Sequence, residues 1–207
     1  MRSTGNNFKN LKITHFSDSA DFPLLLLIAS CVPAAEERRV PARQTIPSEE
    51  AHPMQLTSSA FASNGNIPAK YTCDGENTSP PLQITSVPTA AKSLVLIMDD
   101  PDIPDMVKKR YTIAVWDHWM VFNIPPTTKN IPEGKNPAGI LGKNTGGKNA
   151  YAGPCPPDRE HRYFFRLYAL DTTLTLPEGV AKAEVEKAME KHILAKAELV
   201  GRYERRK

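Results

Sequence analysis

The residues best suited by type and spacing to do chemistry lie between Tyr151 and Leu170, in Y-A-G-P-C-P-P-D-R-E-H-R-Y-F-F-R-L-Y-A-L. Pro154, Pro156 and Pro157 each fix φ and remove a backbone donor, so this loop holds one shape at little ordering cost. It runs into His161, Arg162 and Tyr163, which open an alternating apolar segment. On a strand, Tyr163, Phe165 and Leu167 share one face, with Phe164, Arg166 and Tyr168 on the other. A stiff loop beside a His-Arg-Tyr triplet is a way to build a small polar site. The alternative is a proline-rich turn before an ordinary strand.

Three further blocks bear on that choice. Met98 to Asp105 reads M-D-D-P-D-I-P-D, Val115 to Pro125 reads V-W-D-H-W-M-V-F-N-I-P, and Ser79 to Leu82 reads S-P-P-L. With the His-Arg-Tyr strand, the set resembles the phosphatidylethanolamine-binding protein family, and within it the bacterial YbhB/YbcL-like, "Raf kinase inhibitor-like" group. The resemblance runs from about Leu56 to Arg202, with the blocks in the family's order and spacing. Two positions depart from the group's pattern. Its loop commonly reads Y-G-G-P-C-P-P, where this chain has Ala152. The stretch before the histidine commonly carries a glycine, where this chain has Asp158-Arg159-Glu160. Losing that glycine removes easy access to positive φ and gives the rim a different shape and charge.

The resemblance implies a pocket made by Asp100, Pro101, His118, Pro157, His161 and Tyr163, with Asp102 beside it. Its physical logic is that of a small anion site. Two imidazoles and a phenol donate hydrogen bonds, and protonated imidazoles add charge. Anion affinity is therefore expected to weaken as pH rises through the imidazole range. Asp100 is out of place beside an anion unless it holds His118 or His161 in its tautomer, or accepts a bond from an ammonium head group. Asp102 is expected to cap the turn or pair with Arg162. Trp116 is expected to fill the core. Trp119 follows His118 directly, so a bulge would be needed to bring both to one pocket.

Two functions follow from different classes. One is a non-enzymatic protein that binds phosphate or phospholipid head groups and can act as a regulator of a kinase or protease partner. The other is a hydrolase that uses His118 or His161 as base with Asp100 orienting it. No Gly-x-Ser-x-Gly elbow surrounds Ser79, and no H-x-x-x-H or C-x-x-C spacing points to a metal. No catalytic residue and no cofactor are expected. The net charge of +3 is too small and dispersed to argue for nucleic acid.

Phe22 to Ser30, F-P-L-L-L-L-I-A-S, is the one concentrated apolar run, of signal-peptide length and shorter than a membrane-crossing helix. Ile28 to Cys31 resembles a bacterial lipobox, which makes Cys31 a candidate lipid attachment site. Asp18 and Asp21 crowd the run where positive charge is expected, so plain secretion and a cytoplasmic chain are the alternatives. The expected organisation is a leader at 1–31, a disordered polar tether at 32–53 and one domain at 54–207. The expected location is the bacterial envelope, lipid-anchored or periplasmic. In such an oxidising compartment Cys73 and Cys155 are a candidate disulfide, with two independent buried thiols as the alternative.

Many short β-forming segments predict a mainly β fold, an all-β sandwich core. Leu56–Phe61, Leu94–Met98, Tyr111–Val115, Trp119–Asn123 and His161–Leu170 carry the strand pattern. The resemblance makes this a large antiparallel-rich sheet packed on a smaller one, with a C-terminal helix and a last strand. Helical period is confined to Pro177–Leu199. Lys135–Ala150 is Gly-, Asn- and Lys-rich and reads as a long surface loop that could form part of a lid. His192, in the helical segment, is read as a helix residue and not a ligand-binding group.

Overall fold

The structure is a computed structural model that describes residues 52–205. The leader, Cys31 and all but the last two residues of the expected tether lie outside the described residues. The architecture is a β-sandwich dominated by two sheets. Its centre is strand β4, Ser93–Asp100, which is buried at every position. A continuous apolar run behaves this way when both of its faces are covered. Strand β5, Trp116–Ile124, pairs antiparallel on one side, and strand β8, His161–Leu170, on the other.

The remaining elements follow from these three. Strands β1 (Gln55–Thr57), β3 (Leu82–Thr85) and β6 (Asn130–Ile131) form a small sheet in the order β1-β3-β6. Strands β2 (Gly65–Asn66), β7 (Ile140–Leu141) and β9 (Ile193–Tyr203) complete a large one in the order β2-β9-β8-β4-β5-β7. Between the sheets, Leu56, Leu82 and Ile84 meet Leu96, Met98, Phe165 and Leu167 in the main core. On the opposite face, Val95, Ile97, Met120 and Phe122 pack under helix α2, Lys182–Met189, through Val185 and Met189. Helix α1, Asp105–Tyr111, lies between β4 and β5 in the chain.

Four expectations need correction. The helical period over Pro177–Leu199 contains only α2, and the chain from Ile193 onward is β9. Ile193, Ala195, Ala197 and Leu199 fit an alternating strand as well as a helical stripe. The ladder to β8, which pairs Ile193 with Leu170 and Tyr203 with His161, decides between the two. Tyr111–Val115 is no strand: Tyr111 ends α1 and Thr112 takes a left-handed conformation as its cap. The first strand stops at Thr57, where Ser58 Oγ turns the chain by accepting the Ala60 amide and donating to Pro81 O. The loop at 135–150 is pinned to the sheet through β7, and Thr145 accepts the Asp117 amide. It contributes no lining to the cavity described below.

Candidate functional site

One cavity of about 390 Å³ opens where the carboxyl end of β4 meets the start of β8. Its size suits a small molecule or a head group. Four of the residues expected from the sequence line it: Asp100, His118, Pro157 and His161. Pro101 and Tyr163 are not among its lining residues.

A bulge brings His118 there. Met98 pairs with Trp119 and Asp99 with Asp117, so one step on β4 matches two on β5 and His118 is the extra residue. Asp117 therefore faces α2, where it meets Lys182. His118 and Trp119, which a regular strand would send to opposite faces, both turn to the other face. Trp116, expected to fill the core, lines the cavity instead. Trp119 is fully buried in the main core and donates its indole N–H to Asn136 Oδ1 at 3.0 Å. Trp116 is half-buried, lines the cavity and stands edge-on to Tyr111.

His118 holds Ala152 O at 2.6 Å through Nδ1. A carbonyl only accepts, so Nδ1 carries the proton and the neutral ring offers Nε2 as an acceptor. Burial pushes its pKa down to about 4, because the charged ring is costly away from water. Of the two imidazoles considered from the sequence, this one therefore adds no charge to the cavity through the ordinary imidazole range.

His161 is fully buried and has a carboxylate at each ring nitrogen. Nδ1 lies 2.7 Å from Asp100 Oδ2, and Nε2 lies 2.8 Å from Asp158 Oδ1. The ring donates at both only when it carries both protons. Asp100 also accepts the Asp102 amide at 2.8 Å, the turn in which Pro101 places its neighbours. Burial raises the Asp100 pKa, and the His161 bond opposes that rise. Asp100 thus orients His161 from behind, with both of its oxygens engaged. The hydrogen bond from His161 holds the Asp158 pKa below its usual value.

Tyr163 is fully buried and stands edge-on to His118 with ring centroids 5.2 Å apart. Its hydroxyl reaches toward the Cys155 backbone but makes no hydrogen bond of ordinary geometry. Asp102 instead faces Arg162, which grips it with Nε and Nη2 at 2.8 Å each. That guanidinium pulls the Asp102 pKa down to about 2.

The loop expected to be stiff is also tethered. Cys73 and Cys155 form a disulfide, and the Cys73 amide donates to Pro154 O at 3.0 Å. Tyr151 donates to Tyr71 O at 2.7 Å, and Asn77 Oδ1 accepts the Gly153 amide at 2.7 Å. A Cβ at Gly153 would stand 2.5 Å from Tyr71 O, so only glycine permits this approach. Sequence reasoning missed the opposite wall, which Ile103, Pro104 and Val107 supply. Its signal was a helix with Asp105 in the first turn and Lys108, Lys109 and Arg110 in the last, the charge order a helix dipole favours. His192 lies in the turn before β9, near Asp171 and away from this cavity.

The fold agrees with the comparisons to known proteins. Residues 57–204 match the family model "Phosphatidylethanolamine-binding protein", and the chain belongs to that family. A UPF0098 protein of Methanothermobacter thermautotrophicus is 51% identical over 158 residues, covering 73% of this chain and 99% of the relative. One from Chlamydia trachomatis is 49% identical over 152 residues, with the same coverage. A solved phosphatidylethanolamine-binding protein homologue from Chlamydia trachomatis superposes with a TM-score of 0.71 at 48% identity, over 74% of this chain and 99% of that one. YbcL of Escherichia coli superposes with 0.67 at 30% identity, over 75% of this chain and 100% of that one.

Proposed function

We propose that this protein is a non-enzymatic binding protein whose cavity takes a phosphate-bearing small molecule or a phospholipid head group. The observation that carries this reading is His161. It is a buried ring at the cavity, fixed through Nδ1 by Asp100, whose Nε2 already holds a carboxylate oxygen at 2.8 Å. A donor held in this way binds an oxyanion with little reorganisation. His118 contributes an acceptor for a ligand O–H or N–H. The apolar wall of Ile103, Val107 and Trp116 gives the rest of the ligand a place to pack.

Two observations favour binding over hydrolysis. Among the described residues, the lining contains no serine, threonine or lysine, and both of its cysteines are tied in the disulfide. A covalent route through a hydroxyl, amine or thiol has no nucleophile there. Similarity to YbcL supports placement in the YbhB/YbcL-like branch. An envelope location, with Cys31 lipid-bearing, is supported by the apolar run before Cys31 and by a disulfide suited to an oxidising compartment.

Calorimetric titration with phosphate, phosphoethanolamine and ethanolamine, with each ligand recovered for mass spectrometry, tests the reading. Saturable binding of the phosphorylated ligands with intact recovery is expected. Binding of ethanolamine alone, or recovery of a cleaved ligand, would overturn it.

A further inference from the structure

His161, which lines this cavity, already meets an anion from within the chain. Asp158 Oδ1 lies 2.8 Å from His161 Nε2, and Asp158 Oδ2 lies 2.9 Å from Arg159 Nη1. Arg159 also reaches Asp102 O at 3.2 Å, which holds its guanidinium at the rim. Two donors therefore converge on one carboxylate, in the way they would converge on two oxygens of a phosphate.

The two partners differ in freedom. His161 has no exposed surface and is held from behind by Asp100, so it cannot move aside. The Asp158 side chain is 43% exposed and belongs to the short segment between Pro157 and β8. Its bond to Arg159 joins two exposed groups and holds it weakly. The other imidazole does not compete for an anion, because His118 spends its Nδ1 proton on Ala152 O.

We propose that the Asp158 carboxylate is a built-in competitor for the ligand's phosphate. It satisfies His161 while the cavity is empty, and a phosphate enters by displacing it and inheriting both donors. Phosphate affinity is then reduced by the fraction of molecules in which Asp158 occupies the site. Asp158 also sets specificity, since a weak oxyanion fails to displace it and a phosphoryl group, which offers two oxygens to the two donors, succeeds. This inference rests on the phosphate-binding reading above.

The test is titration of the parent, Asp158→Asn and Asp158→Gly with inorganic phosphate, phosphoethanolamine and a short-chain phosphatidylethanolamine. Both variants should bind phosphate-bearing ligands about tenfold more tightly than the parent, the scale of one charge-assisted hydrogen bond. Adding His161→Gln should erase the gain. A gain confined to phosphatidylethanolamine assigns a lipid diester as the displacing group, and a gain with all three assigns phosphate as such. Equal or weaker binding by both variants, beside a parent that binds, overturns the competitor role and leaves the binding reading intact. No binding by any of the three proteins removes both.

Discussion

Asp99 and Asp100 are neighbours on β4 that face opposite sides of one sheet, and their surroundings differ in kind. Asp99 meets Arg166 and Lys182, and Lys182 also reaches Asp117. The carboxylates there face a lysine and an arginine. Asp100 meets His161, which in turn meets Asp158, and among the described residues no lysine or arginine lines that cavity. A permanent ion cluster under α2 fastens a helix to a sheet. A titratable ring between two carboxylates, one of them exposed, leaves a bond that can be exchanged. Adjacent acidic residues with similar burial thus join an ion cluster under a helix on one face and hold a histidine of the cavity on the other.

The largest expected effect breaks the α2 side. Lys182→Met leaves Asp117 without its cation and Asp99 with Arg166 alone, and should destabilise the fold by about 3 kcal/mol. Denaturant unfolding measures this, and a loss below about 1 kcal/mol would mean that the cluster is not a fastening.

A somewhat smaller effect sharpens the cavity side through pH. The His118 pKa is lowered from 6.5 to about 4 in the folded chain. The unfolded chain takes up that proton first, so the stability from neutral His118 is lost as pH falls through this window. The expected contribution is on the order of 2–3 kcal/mol. Asp100 and Asp117, raised by burial, act with the opposite sign, since their contribution is lost as pH rises. Comparing melting temperatures of the parent and His118→Gln from pH 7 to 4 isolates the histidine. Parallel curves would show that His118 titrates normally.

The smallest effect concerns the rim. Asp102→Asn breaks the exposed grip of Arg162 and should cost about 1 kcal/mol. The Asp102 pKa is lowered to about 2, so this stability is present above the ordinary carboxylate range and fades as pH falls toward 2. A cost unchanged at pH 2 would assign Asp102 a role other than its charge.

Much of the sandwich was legible because its strands carry their pattern locally. The L-V-L-I-M run of β4 and the alternation of β8 each state their burial without reference to a partner. The features that were not legible depend on pairing. Ile193 to Leu199 satisfies two periods, and only the ladder to β8 selects the strand. The bulge at His118 is a mismatch between two strands, so regular alternation misassigned Trp116. The residue types of the site were visible in the blocks around Asp100, His118 and His161. Their charge states were not, because they follow from burial and from which atom each ring nitrogen meets. Asp158 was visible as a change in the loop, but its contact with His161 is a matter of geometry.

The most direct test of the account is calorimetric titration of phosphoethanolamine into the parent, His161→Gln and Lys182→Met at one pH and temperature. The account predicts that His161→Gln binds at least about tenfold more weakly, the scale of one charge-assisted hydrogen bond. It also predicts that Lys182→Met, though less stable, binds like the parent. Parental affinity in His161→Gln, or an equal loss in both variants, would contradict it.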